Sequence, residues 1–295
     1  ATNNLVYTLL ASQALLILPA LVYIISNKFN LARTIRFNRI KISNVLLIVL
    51  FSYLVTPLMS LINLISMLFV KNNIQNTIEI IIDQNPLYIS IIAIALVPCI
   101  LEETVYRGIF YNEYRKKNVT SGIILSALLF ALLHMNFNQF FYAFVMGIVF
   151  VILIEATDTF LSSMIMHFVI NGTSVLNAYM IPKLQDILEE VDPAYAKSLG
   201  ESLNASLTRT ELLASISSLW PIAIITTIFA AIVLYAIANN SNRVEHIKGI
   251  LRGERLVDIE PDEGEEETLD KNRLITIPLI IGMVICLVVM VSIEL

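Results

Sequence analysis

The sequence is poor in charge, cysteine, tryptophan and histidine, and each shortage excludes something. Only 15% of its 295 residues are charged, against 57% hydrophobic. Soluble domains run at roughly 25% charged and roughly 45–50% apolar. A water-soluble chain of this length has no interior large enough for the excess, so the excess faces lipid. Two cysteines, Cys99 and Cys286, both inside apolar runs, exclude a disulfide framework and read as buried structural thiols. The net charge of −5 comes with no basic stripe interleaved with aromatics, which sets nucleic acid aside as a partner. The amino end lacks a basic n-region and a small-residue cleavage site, and its first apolar run is long enough to span, so a mature membrane helix is expected there. The abundance of Ile, Asn and Lys points to an AT-rich bacterial genome.

What is present is a series of long apolar runs. A helix crossing a bilayer needs about 20 mostly apolar residues. Eight segments meet or approach that length: Leu5–Ser26, Asn44–Val70, Leu87–Arg107, Thr120–Met135, Gln139–Glu155, Phe160–Met180, Ile216–Ala238 and Leu274–Glu294. None alternates as barrel strands do, and backbone groups in lipid must be satisfied within the segment, so helices are required. The expected fold is an all-α polytopic transmembrane bundle of about eight membrane helices, forming a single membrane domain over 1–295. The fourth and fifth runs are short enough to be tilted, irregular or partly re-entrant. Ile74–Asp83 mixes apolar and polar positions and can form a short interfacial helix.

Loop charge sets orientation. The first loop carries Lys28, Arg33, Arg36, Arg39 and Lys41, the third Arg115, Lys116 and Lys117, and the seventh Arg243, Lys248, Arg252, Arg255, Lys271 and Arg273. These should be cytoplasmic. The long sixth loop, Ile181–Ala214, is acidic and fits the outside. The fifth, around Thr157 and Asp158, has no positive charge and does not vote. The run of about 239–272 is expected to be a flexible cytoplasmic loop, with the acidic stretch Asp258–Asp270 solvated. No internal repeat is present, so the inverted-repeat layout of many transporters has no support.

Charged groups inside membrane segments cost at least ~2.5–3.5 kcal/mol each on insertion scales, and so mark function. The third segment contains Glu102, Glu103 and Arg107 in the string EETVYR. Glu103 and Arg107 are i and i+4 in the favoured carboxylate-first order for an ion pair. Glu102 then lies on a neighbouring face without a local cation and needs a partner on another helix. The fourth segment ends in FALLH, with Phe130 and His134 one turn apart, and the sixth contains HFVIN, with His167 and Asn171 on one face. Two of the three histidines therefore lie in apolar helices; the third, His246, sits in the charged seventh loop. Taken singly each has an ordinary reading. Glu103–Arg107 is a structural pair, His134 a satisfied core histidine, Asn171 interhelical glue, Phe130 packing, and Tyr106 and Tyr111 interfacial aromatics. The combination of a Glu, two His and an Asn in three apolar helices is what points to chemistry.

Helical rise puts Glu102 and His134 at similar depth, roughly 20–25 Å from the hairpin tip near Lys116–Asn118, and the sixth segment reaches a comparable depth. A carboxylate and an imidazole that meet there can hold and deprotonate water. A second His and an Asn can stabilise a developing oxyanion. Alternatively, Glu102, His134 and His167 can bind Zn²⁺ with an open position for water, although no HExxH pattern is present. A proton relay through Glu102, His134 and His167 in a carrier is a third option.

These strings resemble the motifs of a known family. EETVYR is similar to EExxxR, FALLH to FxxxH and HFVIN to HxxxN of the CAAX-protease and bacteriocin-processing (CPBP, or Abi) family, in the same order. The resemblance covers a core of about 87–180. It implies an intramembrane endopeptidase in which Glu102 and His134 activate water and His167 and Asn171 stabilise the oxyanion, with Glu103, Arg107 and Phe130 in support. It implies a peptide or membrane-protein substrate within the lipid bilayer and a multi-pass place in a bacterial cytoplasmic membrane. The family is labelled metalloprotease, but a glutamate-type mechanism with no required cofactor fits its motifs equally and is the first choice here. A catalytically silent scaffold, or an immunity or regulatory protein keeping the same fold, is the alternative.

Overall fold

The computed structural model describes residues 3–26, 35–72, 74–197, 207–254 and 274–294. It is all-helical among these residues. The helices are α1 (Asn3–Ser26), α2 (Ile42–Ser66), α3 (Ile74–Gln84), α4 (Leu87–Arg115), α5 (Val119–Leu133), α6 (Phe137–Thr157), α7 (Leu161–Val191), α8 (Arg209–Asn240), α9 (Val244–Arg252) and α10 (Ile277–Glu294). Six are long and apolar enough to cross a membrane, while α5 and the apolar part of α10 are shorter apolar helices. All eight apolar runs thus form helices in a polytopic bundle.

Several boundaries differ from expectation. The fourth and fifth runs are continuous helices, not irregular ones. α7 extends to Val191 and α8 begins at Arg209, so the sixth loop is shorter than Ile181–Ala214. α8 starts early because Thr208 and Glu211 form a reciprocal capping box. The stretch 239–272 is not loop throughout. It opens with the end of α8 and with α9, which packs on α6 and stops at Gly253 in the left-handed conformation. The acidic stretch Asp258–Asp270 lies outside the described residues. Ile74–Asp83 is helical, as α3. Cys99 is buried, but Cys286 on α10 is only half-buried, so the structural-thiol reading holds for the first alone.

α6 is the hub. It packs against α2, α5, α7, α8 and α9 and is the most enclosed of the long spans. α1 lies at the periphery against α4 and α3, and α10 lies outside α5. The α5–α6 approach is close because Gly147 faces Ala127: a Cβ at Gly147 would sit 2.8 Å from Ala127 Cα. Small residues admit such approaches in membrane bundles. The α5–α6 turn is short. His134 caps α5, Met135 takes a left-handed φ of 49°, and Asn136 starts α6 by accepting the Gln139 amide at 3.0 Å.

One end of the bundle is tied by a buried carboxylate. Glu155, with no exposed surface, accepts from Arg36 at 2.5 Å, Arg115 at 3.0 Å, Tyr111 Oη at 2.9 Å and Arg243 at 3.5 Å. His246 Nε2 lies 2.6 Å away. Arg36 also reaches Asp158 at 2.5 Å. Burial pulls the Arg36 guanidinium down, but Glu155 and Asp158 outweigh this and hold it above its ordinary value. The first, third and seventh connections, which charge bias assigns to one side, therefore meet at one end. The fifth connection, which carries no positive charge, joins them there through Asp158.

Candidate active site

α4 supplies the carboxylates and is not a regular helix. Ile92–Leu96 and Thr104–Tyr111 are π-helical turns flanking Val97–Glu103. Single π turns recur at functional sites. Pro98 has no N–H to donate to the Ile94 carbonyl four residues earlier. That carbonyl accepts Asn171 Nδ2 from α7 at 3.1 Å. The carbonyl can only accept, so it fixes which way the Asn171 amide points.

From Asn171 a chain of contacts runs through the buried core. Asn171 Nδ2 also lies 3.1 Å from His167 Nε2. His167 Nδ1 lies 3.0 Å from Glu103 Oε1, and Arg107 Nη1 donates to the same oxygen at 3.0 Å. An amide N–H against Nε2 requires Nε2 to accept, which puts the imidazole proton on Nδ1, facing Glu103. Glu103 thus orients His167 and is itself held by Arg107. Glu103 and Arg107 have no exposed surface. Removing either partner of such a pair costs about 3–5 kcal/mol, because the other charge is left buried.

The guanidinium of Arg107 is also held by aromatic faces, 4.0 Å from the Phe130 centroid and 4.8 Å from that of Phe150. Phe130 is central. The rings of His134 and His167 meet it edge-on, at 5.1 and 6.0 Å between centroids, and Tyr106 does so at 5.7 Å. His167 in turn stacks on Phe150 at 5.3 Å. Phe130 is thus the platform that spaces both histidines and the arginine, a larger role than packing alone. His134 sits at the α5 C-cap, with Nδ1 3.0 Å from the Phe130 carbonyl. Donation to that carbonyl leaves Nε2 as the acceptor. His134 is within electrostatic reach of Glu102 and His167 without a direct hydrogen bond to either.

Glu102 is buried at 6% exposure. Its Oε2 lies 3.9 Å from His167 Nε2, too far for a hydrogen bond. Its Oε1 accepts from Gln13 Nε2 at 2.7 Å. This is the partner on another helix that Glu102 needed, and it comes from α1. All seven residues singled out from the sequence are therefore gathered at one place. Tyr106 and Tyr111 are not interfacial: both are buried, and Tyr111 has no exposed surface at all. Gln13 and Glu155 were not singled out. A lone Gln among apolar neighbours was the only trace of the first, and Glu155 at the end of an apolar run read as a helix terminus.

A zinc set of Glu102, His134 and His167 fits this arrangement poorly. Among the described residues no group of three or more His, Cys, Asp or Glu is placed to hold a metal ion. His167 Nε2 faces an amide and Glu102 Oε1 faces another. No step is derived through a metal.

The fold and this site together define an integral membrane helical bundle that encloses a carboxylate, two imidazoles and an amide. Residues 84–173 match the model of the Rce1-like family, type II CAAX prenyl endopeptidase Rce1-like. All three motifs fall inside that stretch, so the resemblance they carry holds for the core of the chain, and at family level it is that of a CAAX-type intramembrane protease. No curated protein and no solved structure matches the chain.

Proposed function

We propose that the protein is an intramembrane endopeptidase that hydrolyses a peptide bond in a membrane-associated peptide or protein, without a metal. The observation that carries this reading is the Arg107–Glu103–His167–Asn171 chain set beside Glu102. It is an oriented imidazole next to a separate buried carboxylate.

In this reading Glu102, aided by His134, takes a proton from water as the oxygen attacks the peptide carbonyl. The C–O bond forms and the carbonyl electron pair moves to oxygen. Both Asn171 amide hydrogens are engaged, one by Ile94 and one by His167. Oxyanion stabilisation therefore starts with His167. Once Nε2 has taken a proton from solvent, with Glu103 as counter-ion, it donates to the oxyanion, which frees one Asn171 N–H to do the same; His167 keeps that proton through the cycle. Collapse breaks the C–N bond as the proton held by Glu102 passes to the leaving amine.

The test is cleavage of internally quenched peptides, farnesylated and unmodified, by the purified protein in liposomes. Wild type should cleave at least one. Glu102→Ala and His134→Ala should each lose at least ~100-fold, the lower range for general acid–base catalysis. Equal rates in all three would overturn the reading. Elemental analysis of active protein tests the metal-free mechanism: stoichiometric zinc that is required for cleavage would refute it.

A further inference from the structure

α1 buries one stripe. Val6, Gln13 and Ala20 are its buried residues, with Leu9, Leu10, Leu16 and Ile17 half-buried between them, while the remaining faces are open. That spacing is the seven-residue recurrence of a helix seated on one neighbour. Its upper part packs with Ile81, Ile89, Ala93 and Ile94, the last of which provides the carbonyl that holds Asn171. Gln13 is the one polar side chain in the stripe and is 7% exposed. Burying an amide here is costly unless it is bonded. Nε2 is bonded, to Glu102. Among the described residues Oε1 has no hydrogen-bond partner, and the atom is buried.

We propose that Gln13 is a positioning residue for Glu102, and that its free Oε1 receives a backbone N–H of the bound peptide. The proposal rests on the peptidase reading above. It places a functional residue on α1, which lies outside the matched stretch 84–173. The chemistry is direct. A carboxylate has two oxygens and rotates freely unless one is held. Gln13 holds Oε1, which leaves Oε2 on the side of His167, 3.9 Å away, free to take the proton from water. An ionised carboxylate only accepts, so the Gln13 amide must present its N–H₂ to Glu102 and its oxygen elsewhere. An extended peptide brings N–H groups that lose their water on entering this site, and a buried free acceptor beside the general base satisfies one of them.

The experiment compares wild type with Gln13→Met, which keeps length and removes both polar atoms, and with Leu16→Met on the same stripe as control. The probes are the same quenched peptides in liposomes, with thermal stability measured in parallel. Gln13→Met should lower kcat by about 10–100-fold, the cost of misplacing a reacting group by roughly 1 Å. It should raise KM by several-fold through the lost N–H contact, and leave Tm within about 2 °C. Leu16→Met should match wild type. In a Glu102→Ala background Gln13→Met should have no further effect on kcat, since a residue acting through Glu102 has nothing left to position. A kcat within twofold of wild type in Gln13→Met, or a loss of equal size in the Glu102→Ala background, overturns the proposal while leaving the peptidase reading intact. Unchanged activity in Glu102→Ala overturns that reading instead, and cleavage of no peptide by wild type overturns both. A fall in Tm that accounts for the lost activity assigns Gln13 to interhelical packing and also refutes the proposal.

Discussion

The guanidinium carbon of Arg107 lies over the ring of Phe130, 4.0 Å from its centroid, and one helical turn further along α5 the chain places His134. The ring therefore separates a buried cation from an imidazole that must stay an acceptor. Removing the ring brings the two together and loosens both. Phe130→Leu should lower kcat by at least ~10-fold, a cation–π contact being worth about 2 kcal/mol when desolvated. Arg107→Lys should also fail to rescue activity, because an ammonium lacks the planar face that stacks on Phe130 and Phe150. Steady-state kinetics on the quenched peptides checks both, and wild-type kcat in Arg107→Lys would show that charge alone suffices.

Pro98 offers a quieter test. Its missing N–H accompanies the Ile94 carbonyl's bond to Asn171. Pro98→Ala introduces a helical N–H that competes for this carbonyl, and the Asn171 amide is then free to turn. The expected outcome is a kcat about 3–10-fold lower with stability unchanged or raised, since alanine is the better helix former by about 3 kcal/mol in a helix interior. Asn171→Ala should be harsher, at about 10²–10³-fold, the cost of losing one oxyanion donor. Pro98→Ala at full activity would mean that the Ile94 contact does not position Asn171.

Gly147 should tolerate no side chain. A Cβ there meets Ala127 at 2.8 Å and Arg107 Nη2 at 3.3 Å. Gly147→Val should destabilise by about 1–3 kcal/mol through overpacking and should displace Arg107 from its aromatic seat. Activity should fall more than stability does. A Tm and kcat both at wild-type level would show that α5 and α6 part easily.

The Glu155 node should be a stability element rather than a catalytic one. Glu155→Ala leaves Arg36, Arg115 and Arg243 facing one another and should cost about 3–5 kcal/mol, while Glu155→Gln recovers part through its carbonyl oxygen. The pH dependence has a definite sign. The Arg36 pKa is raised in the folded state. Its contribution is complete below the ordinary arginine value of the unfolded chain and is lost only as pH climbs through the higher folded value. Thermal melts between about pH 7 and 10 should show no alkaline loss from Arg36. A Glu155→Ala variant as stable as wild type would remove the node from the stability account.

The legible part of this molecule is the part written in local patterns. Long apolar runs give the eight helices because lipid leaves the backbone no other way to satisfy its hydrogen bonds. EETVYR gives the Glu103–Arg107 pair because i and i+4 are neighbours on any helix. Gln13 was not legible because its meaning depends on which face of α1 is buried, and an apolar helix in lipid shows little amphipathic signal. Glu155 was not legible because its partners come from three segments far apart in sequence, among them His246, which read only as a loop residue. Tyr106 and Tyr111 read as interfacial aromatics on their chemistry alone, and their burial comes from α5 and α6 packed on α4, which the local string does not show.

The order of residues around Glu155 bears on how the bundle is made. Arg36 and Arg115 precede this carboxylate in the chain, whereas Arg243 and His246 follow it. Synthesis runs from the amino end, so two cations are already in place when α6 enters the bilayer. The carboxylate need not face hydrocarbon alone while α8 and α9 are still to emerge. The last two partners then arrive with α8 and α9, closing the first half of the chain against the second.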